Sequence, residues 1–196
     1  MDVMNIFRAQ APAKRDLLHY VHLEEANKED DVALIYFLIH TFEEVTNARI
    51  AKGYEMVPQR RAELALTRER RQQGLVKVLK LDTRIIGTYC LLGADHFADA
   101  WEPSLLYFNS FAIHQDFHGT QLSQLLLADA HVEALKSEAN GIGMTVFSEL
   151  TGLMRFYEKW DFVTDPDGDT TSETGHLLGY RKSLSIEKVN ELLKLS

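Results

Sequence analysis

Apolar positions recur along this chain with two periods, one typical of strands and the other of helices. The clearest strand is Leu105–Ile113, a run rich in aromatic and branched residues that is long enough to be buried. Residues 115–119 break this pattern, with Gly119 at a flexible turn position. From Thr120 onward the apolar residues follow a helical period, at Leu122, Leu125, Leu126, Ala130 and Leu135. The pattern predicts a strand, a tight turn and a helix in direct succession.

The other predicted elements give the order strand, two helices, a three-strand meander, helix, strand, helix and a final hairpin. The meander consists of Leu75–Leu81, residues 84–92 and Leu105–Ile113, with Asp82 and Thr83 in the first turn. Before the meander, the pattern predicts a strand over 17–23, a helix from the acidic residues 29–31 to near Gly53, and a helix opened by Pro58.

After the meander, the long helix is predicted to end at 140–143 and to be followed by a strand over 144–147 and a helix capped by Thr151. The last predicted segments are a polar loop over 165–175, a strand over 176–182 and an amphipathic C-terminal helix over 184–195.

Length and composition indicate one soluble domain spanning residues 1–196, with 45% hydrophobic and 26% charged residues. The net charge of −8 argues against non-specific nucleic-acid binding and is compatible with a cationic substrate such as an amine. Cys90 is the only cysteine, which excludes an internal disulfide. The longest strongly apolar run, 32–39, is far shorter than the roughly 20 residues of a membrane span. Because residues 1–16 also lack a secretory signal, we expect a cytoplasmic protein without a membrane partner.

The predicted turn before the long helix allows two interpretations. The first backbone N–H groups of a helix have no intrahelical partner, and the helix dipole adds positive charge there. Such a turn favours an anion, typically a phosphate. The alternative is an ordinary connection between a strand and a helix, and the spacing alone does not separate the two.

Two sequence blocks resemble the GNAT superfamily of N-acetyltransferases. The run FAIHQDFHGTQLSQLLL is similar to the acyl-CoA loop, in which an aliphatic strand leads into Arg/Gln-x-x-Gly-x-Gly/Ala and a helix. Aligned on Gly119, His118 takes the Arg/Gln place, Gln121 the middle Gly and Ser123 the last Gly/Ala. The piece FYEKWDF is similar to the family's aliphatic-Tyr-Glu-Lys-Leu-Gly-Phe signature, and the resemblance covers about residues 75–183.

The resemblance implies an α+β fold with a mixed, mostly antiparallel sheet flanked by helices and split between its two central strands. It also implies acetyl-CoA, or another acyl-CoA, as co-substrate in that split, and no metal. The strand end would pair with the pantetheine amides, and the turn would present N–H groups to the pyrophosphate. The implied binding residues are Phe111, Ala112, Ile113, His118, Gly119, Thr120, Gln121, Leu122 and Ser123.

The activity implied by the resemblance is acyl transfer to a primary amine by direct attack. Tyr157 takes the place of the acid that protonates the departing thiolate, and the alternative is a packing tyrosine. The family often has a Glu on the central strand, where this chain has Asn109, so Glu149 is the candidate base. The acceptor is a small-molecule amine or a protein amino group, and a homodimer is compatible with the sequence. Two rivals remain open: transfer of a longer acyl chain, and an inactive module that binds acyl-CoA or a protein.

Two side-chain clusters have competing interpretations. An arginine cluster in the second helix would meet acyl-CoA phosphates or an acidic partner, or would form a solvated face because Glu63 and Glu69 interrupt it. Its members are Arg60, Arg61, Arg68, Arg70 and Arg71. His114 and His118 flank the turn, but no third ligand is evident, so we expect no metal site.

Overall fold

The computed structural model describes residues 20–43, 47, 51, 67–93, 102–172, 175–185 and 187. The strands are β1 Val21–Glu25, β2 Leu75–Leu81, β3 Arg84–Gly93, β4 Leu105–Ile113, β5 Gly141–Phe147, β6 Val163–Thr164, β7 Thr170–Ser172 and β8 Gly175–Ser183. The helices are α1 Asp31–Thr41, α2 Leu122–Lys136 and α3 Thr151–Lys159, and residues 67–73 are also helical. None of the described helices is long and apolar enough to cross a membrane.

All eight strands belong to one sheet. Seven follow the order β1-β2-β3-β4-β5-β8-β6, and β7 pairs with β8. Every pair is antiparallel except β4 with β5. The expected α+β architecture with a mixed, mostly antiparallel sheet is therefore confirmed.

The two central strands separate part of the way along their length. Residues 105–107 of β4 pair with residues 141–143 of β5, and the pairing ends there. Beyond this point β4 stays paired with β3 as far as Ile113, while β5 stays paired with β8 as far as Phe147. The expected split is confirmed, and it opens toward the carboxyl ends of both strands.

The two faces of the sheet carry separate apolar cores because successive side chains of a strand point to opposite sides. On the α2 face, Ile86, Tyr89 and Leu91 of β3 pack with buried leucines of α2. On the α1 face, Ile85 and Cys90 pack with buried residues of α1. The names α1 face and α2 face are used in this sense below.

The approach of α2 to the sheet requires a glycine in β3. A Cβ atom added at Gly87 would lie 2.7 Å from Ile113 Cδ1 and 3.0 Å from Leu126 Cδ1. A larger residue would push the helix off the strand, or push Ile113 out of its place at the end of β4. Gly87 thus helps to set the end of β4 from which the candidate acyl-CoA turn starts.

The predicted meander is confirmed, and β4 has the predicted bounds. The prediction for 140–143 is wrong, because α2 already ends at Lys136 and β5 begins at Gly141 rather than at residue 144. Gly141 reads as a helix stop in the sequence, yet it is needed for strand packing. A Cβ there would lie 2.6 Å from Leu105 Cδ2 and 2.9 Å from the Lys182 carbonyl oxygen.

Other boundaries also differ from the predictions. Strand β1 is Val21–Glu25 and so ends two residues beyond the predicted strand over 17–23. Thr151 is the first residue of α3 rather than its cap, and no side chain caps that helix. Residues 165–175, predicted as a loop, contain a 3-10 turn at Pro166–Gly168 and the strand β7. The predicted acidic helix start at residues 29–31 is divided between a 3-10 turn, Lys28–Asp30, and α1, which begins at Asp31. A reciprocal capping box between Asn27 and Asp30 stabilises the 3-10 turn.

Parts of four predicted elements lie outside the described residues. They are residues 17–19 of the first strand, the stretch of the first helix toward Gly53 apart from residues 47 and 51, the start of the second helix at Pro58, and most of the C-terminal helix 184–195. The final strand is confirmed, and as β8 it spans Gly175–Ser183.

Candidate active site

A bulge bends β4 where the split widens. In the register with β3, Thr88 faces Ala112 but Cys90 faces Asn109, so Ser110 and Phe111 together oppose one residue. Ser110 has a φ of 52°, in the left-handed region that residues other than glycine rarely adopt. A bulge increases local twist and re-aims backbone groups. Here it turns the end of β4 away from β5 and frees its second edge.

Aromatic rings from β4 and α3 line one wall of this split. The Phe111 ring centroid lies 6.0 Å from that of Phe156 and 6.2 Å from that of Tyr157. Phe111 also contacts Phe108 at 5.3 Å, and Tyr157 contacts Phe162 at 5.5 Å. The predicted cofactor residue Phe111 and the predicted acid Tyr157 are therefore neighbours, although they are far apart in sequence.

Tyr157 is held neutral by its surroundings. Its side chain is only 4% exposed. Burial raises the pKa of Tyr157 far above its usual value, and the neighbouring Tyr107 phenol adds to the rise. A phenol in this state keeps its proton at physiological pH, and the raised pKa also makes it a weaker acid than an ordinary tyrosine. The role of Tyr157 as a general acid stays a prediction.

Tyr107 marks the point where the split begins, and sequence analysis did not single it out. Its hydroxyl lies 3.3 Å from Thr145 Oγ1, so the two strands are linked by side chains just beyond the last backbone pairing. Burial raises the pKa of the Tyr107 hydroxyl, while the contact with Thr145 and the charge of Arg70 oppose this rise. The only signal in the sequence is the alternation of side chains along β4. That alternation does not distinguish a tyrosine at the site from one in the apolar core.

The turn after β4 has the geometry that an anion-binding helix start requires. Gly119 has a φ of 73°, and no atom lies within 4 Å of the position its Cβ would take. Gln121 has a φ of −81°, which any residue adopts, so its replacement of a family glycine causes no strain. Thr120 Oγ1 donates to the Phe117 carbonyl at 2.6 Å and closes the turn. The first N–H groups of α2 then face away from the helix without intrahelical partners.

The two histidines of the turn make separate contacts. His118 Nε2 lies 3.0 Å from the Ile113 carbonyl oxygen, which ties the ring back to the end of β4. His114 Nε2 lies 2.5 Å from an Arg84 guanidinium nitrogen, and its Nδ1 lies 3.5 Å from an Asp116 carboxylate oxygen. Within the described part of the chain, no three His, Cys, Asp or Glu side chains lie close enough together to hold a metal ion.

Glu149, the predicted base, lies in the short connection between β5 and α3. It follows Phe147, the last residue of β5, by two positions and is partly buried. The connection is held by a hydrogen bond from the Leu150 N–H to the Phe147 carbonyl at 2.9 Å. Glu149 and Tyr157 thus belong to one β5–α3 unit, and the role of Glu149 as a base stays a prediction.

A polar chain of three residues lies on the α1 face of the bulge. Arg70 Nη1 donates to Ser110 Oγ at 2.6 Å, and Ser110 Oγ donates to Asn109 Oδ1 at 2.9 Å. The Asn109 Nδ2 group is buried and has no partner among the described residues. The arginines therefore divide: Arg71 and Arg68 reach the buried Asp31, at 2.9 and 3.7 Å, whereas Arg70 reaches β4. Arg70 and Arg71 are thus not fully solvated, whereas Arg60 and Arg61 lie outside the described residues and contact with acyl-CoA phosphates stays a prediction.

The chain belongs to the Acetyltransferase (GNAT) family, whose sequence profile matches residues 35–162. The resemblance found in the sequence is thereby confirmed. Functionally curated proteins include no sequence that matches this chain closely enough to be called a relative.

Solved structures show the same fold at low sequence identity. An acetyltransferase of the GNAT family from Staphylococcus aureus Mu50 is 13% identical, with a TM-score of 0.65, and covers 84% of this chain and 99% of its own. A putative acetyltransferase from Salmonella typhimurium, solved with its cofactor acetyl-CoA, is 16% identical, with a TM-score of 0.60, and covers 84% and 94%. At these identities the likeness concerns the fold, and the site residues have to be argued from their own geometry.

Proposed function

We propose that this protein transfers an acyl group, in the first instance acetyl, from acyl-CoA to a primary amine by direct attack. The observation that carries the proposal is the split between β4 and β5, which runs from Tyr107 to the turn before α2. The split offers the unpaired edge of β4, followed along the chain by the start of α2. A pantetheine arm that ends in a pyrophosphate needs these two features in this order.

Binding of acyl-CoA would depend mainly on backbone groups. Beyond Tyr107 the β5-facing edge of β4 has no strand partner among the described residues, so backbone groups of residues 111–113 other than the Ile113 carbonyl, which contacts His118, would serve the pantetheine amides. At the end of the split, N–H groups of the turn 118–123 would receive the pyrophosphate. Those of His118 and Thr120 already donate to the Gln115 and Phe117 carbonyls, and that of Leu122 lies 3.4 Å from Thr120 Oγ1, so the remaining N–H groups of the turn would do this. Gly119 leaves open space there, and the negative φ of Gln121 permits a side chain. The departures from the family glycines are therefore compatible with binding.

The reaction requires a neutral amine and a proton for the leaving group. The amine nitrogen attacks the thioester carbonyl carbon, the carbon–sulfur bond breaks, and Tyr157 gives its phenolic proton to the thiolate sulfur. The proton that the amine nitrogen loses passes to a water molecule, which in turn gives a proton to the Glu149 carboxylate. A backbone N–H of the bulged strand end would polarise the thioester carbonyl. The catalytic roles of Tyr157 and Glu149 stay predictions. The cytoplasmic location of the protein also stays a prediction.

The rival proposal is an inactive module that binds acyl-CoA without turnover. The observation that favours it is Asn109, which occupies the central-strand position of a common family base and cannot accept a proton usefully. Direct attack by an amine that binds already neutral does not need that base. The rival therefore predicts binding of the same cofactor and differs only in turnover.

The test is thermal unfolding with millimolar acetyl-CoA, free CoA and a longer acyl-CoA, followed by turnover with a panel of amines. A ligand that binds only the native state stabilises it by about 2.7 kcal/mol at a hundredfold excess over Kd. We expect stabilisation by acetyl-CoA and release of CoA in the presence of an amine. Stabilisation without turnover would favour the inactive module, and stronger stabilisation by the longer acyl-CoA would favour a longer chain. No shift with any ligand would refute all of these proposals.

A further inference from the structure

Arg70 places a positive charge directly against the bulge of β4. The residue belongs to the helical segment 67–73 on the α1 face, and its Nη1 lies 2.6 Å from Ser110 Oγ. Ser110 is the residue with a left-handed backbone at the bulge. Because the bulge lies in the part of β4 beyond its last pairing with β5, the guanidinium contacts the stretch of strand that borders the proposed site of acyl transfer.

The neighbouring arginines of the same segment have carboxylate partners, whereas Arg70 has none in the described part of the chain. Arg71 binds Asp31 through two hydrogen bonds of 2.9 and 3.1 Å, and Arg68 approaches the same carboxylate at 3.7 Å. Arg70 reaches only a neutral hydroxyl, although its side chain is partly buried. A guanidinium has five N–H donors in a fork that matches a carboxylate, so most of its donor capacity is unused here.

A second unused donor lies on the other side of Ser110. Asn109 Oδ1 accepts from Ser110 Oγ at 2.9 Å, but the Asn109 Nδ2 group is buried without a partner among the described residues. Buried polar groups are nearly always satisfied in a native protein, so an exception calls for an explanation. An unpartnered buried amide donor and a nearby guanidinium without a carboxylate partner among the described residues suit an anionic acceptor of hydrogen bonds.

The small void beside Arg70 leaves no room for an anion. It is lined also by Thr67, Thr88, Cys90 and Ser110 and measures about 10 Å³. Such a space holds at most one water molecule and cannot contain a carboxylate group. A carboxylate bound by these donors would therefore have to lie outside this void, as part of a molecule that also reaches the proposed reaction site.

We infer that the amine acceptor carries a carboxylate beside its amino group, as an α-amino acid does, and that Arg70 and Asn109 bind this carboxylate. The inference rests on the proposed function and narrows its acceptor. Because Arg70 contacts the bulge directly, the reacting nitrogen and the carboxylate must lie close together in the acceptor molecule. Polyamines and the lysine side chains of proteins lack such an adjacent carboxylate.

The experiment compares L-amino acids with their carboxamides as acceptors for acetyl-CoA. Each pair differs at the carboxylate and keeps the side chain. The carboxamide has the less basic amine, so more of it is neutral, and intrinsic reactivity works against the expected result. We expect kcat/KM to favour the amino acid by about tenfold or more, the size of a charge-assisted hydrogen bond.

Variants connect this preference to Arg70. Arg70→Gln should raise KM for the amino acid by about tenfold to a hundredfold and leave the carboxamide unchanged, while Arg70→Lys should retain part of the preference. Arg68→Gln is the matched control, since this arginine lies in the same segment with a side chain 57% exposed and should leave both substrates unaffected. Ser110→Ala tests the contact with the bulge itself, and should lower the preference less than Arg70→Gln does.

The outcomes separate the inference from the function beneath it. Equal use of amino acids and carboxamides by the wild-type protein would overturn the inference and leave acyl transfer standing. An equal loss for both substrates in Arg70→Gln would also overturn it, because Arg70 would then only support the bulge. Should the variants fold poorly, protection of the wild-type protein by an amino acid but not by its carboxamide, measured with free CoA present, decides the question. Absence of stabilisation by acetyl-CoA and of turnover with any amine would refute the proposed function itself.

Discussion

The two faces of the sheet treat their buried polar groups differently. On the α2 face, Tyr89 donates a hydrogen bond of 2.6 Å to Asp129, and both residues lie in a leucine-rich environment. On the α1 face, the Asn109 amide and the Thr67 hydroxyl are buried without partners among the described residues, and Arg70 has no carboxylate there. The α2 face therefore pairs its buried tyrosine and carboxylate, although Gln124 Oε1 of α2 is also buried without a hydrogen-bond partner among the described residues. The α1 face differs in that donor groups, the Asn109 amide and the Arg70 guanidinium, lie beside the proposed site.

In the proposal made above, the α1 face supplies donors for recognition of the acceptor and the α2 face mainly stabilises the fold. A satisfied buried pair adds to cohesion, whereas an unsatisfied donor costs free energy unless a ligand completes it. The split lies between β4 and β5, and its aromatic wall continues the core of the α2 face. Its chemistry would therefore combine a rigid wall on one side with open donors on the other.

The sharpest test of this division is Tyr157→Phe, because Tyr157 packs with the α2-face core yet has a proposed catalytic hydroxyl. The ring contacts remain in the variant, so stability should hardly change. Loss of the proton donor should lower kcat by about a hundredfold to ten-thousandfold. Steady-state turnover with a good amine, beside thermal unfolding, measures both effects. Tyr20→Phe, at a side chain that is 60% exposed, is the control, and unchanged turnover in Tyr157→Phe would remove the acid role.

The stability role of the α2 face predicts a large effect for Leu125→Ala. Leu125 is fully buried in the core between α2 and the sheet. Truncation should lower the free energy of unfolding by about 2–5 kcal/mol, from lost burial and the cavity that remains. Chemical denaturation measures the change, and Val32→Ala, at a side chain 59% exposed on α1, should have little effect. A small loss at Leu125 would contradict the assignment of this face to stability.

The buried pair of the α2 face should show itself in the pH dependence of stability. Burial raises the pKa of Asp129, against the effects of the Tyr89 hydrogen bond and the Lys77 charge, while Glu133 adds to the rise and Lys136 opposes it. A raised pKa in the folded state means that folding favours the protonated carboxyl. The stability from this group is complete below the unfolded pKa of about 4 and is lost as pH rises through the folded pKa.

Asp129→Asn tests this dependence, because an amide stays neutral at every pH and still accepts from Tyr89. We expect the variant to gain stability relative to the wild-type protein as pH rises above about 4. Denaturation curves at several pH values measure the difference. A difference that falls with rising pH would mean that Lys77 outweighs burial at this position.

The smallest effect is expected on the α1 face, for Asn109→Ala. The variant loses the hydrogen bond from Ser110 Oγ to Asn109 Oδ1 but also removes the buried, unpartnered Nδ2 group, and Ser110 keeps its contact with Arg70. These effects offset each other, so the free energy of unfolding should change by less than about 1 kcal/mol. Asn27→Ala is the contrast, because Asn27 accepts a hydrogen bond of 2.7 Å from the Glu29 N–H as a cap, worth about 1 kcal/mol. A larger loss of unfolding free energy in Asn109→Ala than in Asn27→Ala would contradict the distinction between polar groups with and without hydrogen-bond partners.

Local patterns predicted the elements where hydrophobic alternation and turn chemistry agree. The strand Leu105–Ile113 and the hairpin around Asp82 and Thr83 are as predicted. The predictions failed at Gly141 and Thr151, where the same residue type has two uses. A glycine can end a helix or permit close packing in a strand, and only the neighbours, here Leu105 and Lys182, decide which.

The candidate site was predictable to the extent that it depends on a local motif. Gly119 and the helix that follows it form a contiguous stretch, so the turn could be read from the chain. Family signatures likewise pointed to Tyr157, because the tyrosine lies inside a short block. The sequence named Arg70 only as one of five clustered arginines and did not indicate its contact with Ser110, because its own segment resembles a solvated helix with alternating charges.

The sequence by itself determined the periodicity of the strands and helices, the position of the flexible turn and the membership of the family. The tertiary structure alone decided the partners: Arg70 with Ser110, Arg71 with Asp31, and Tyr89 with Asp129, each pair separated by 40 positions. The physical reason is that periodicity is set by backbone geometry within a few residues, while these contacts arise where helices pack across a sheet. The open donors beside the split follow from that packing, and the proposed acceptor site follows from them.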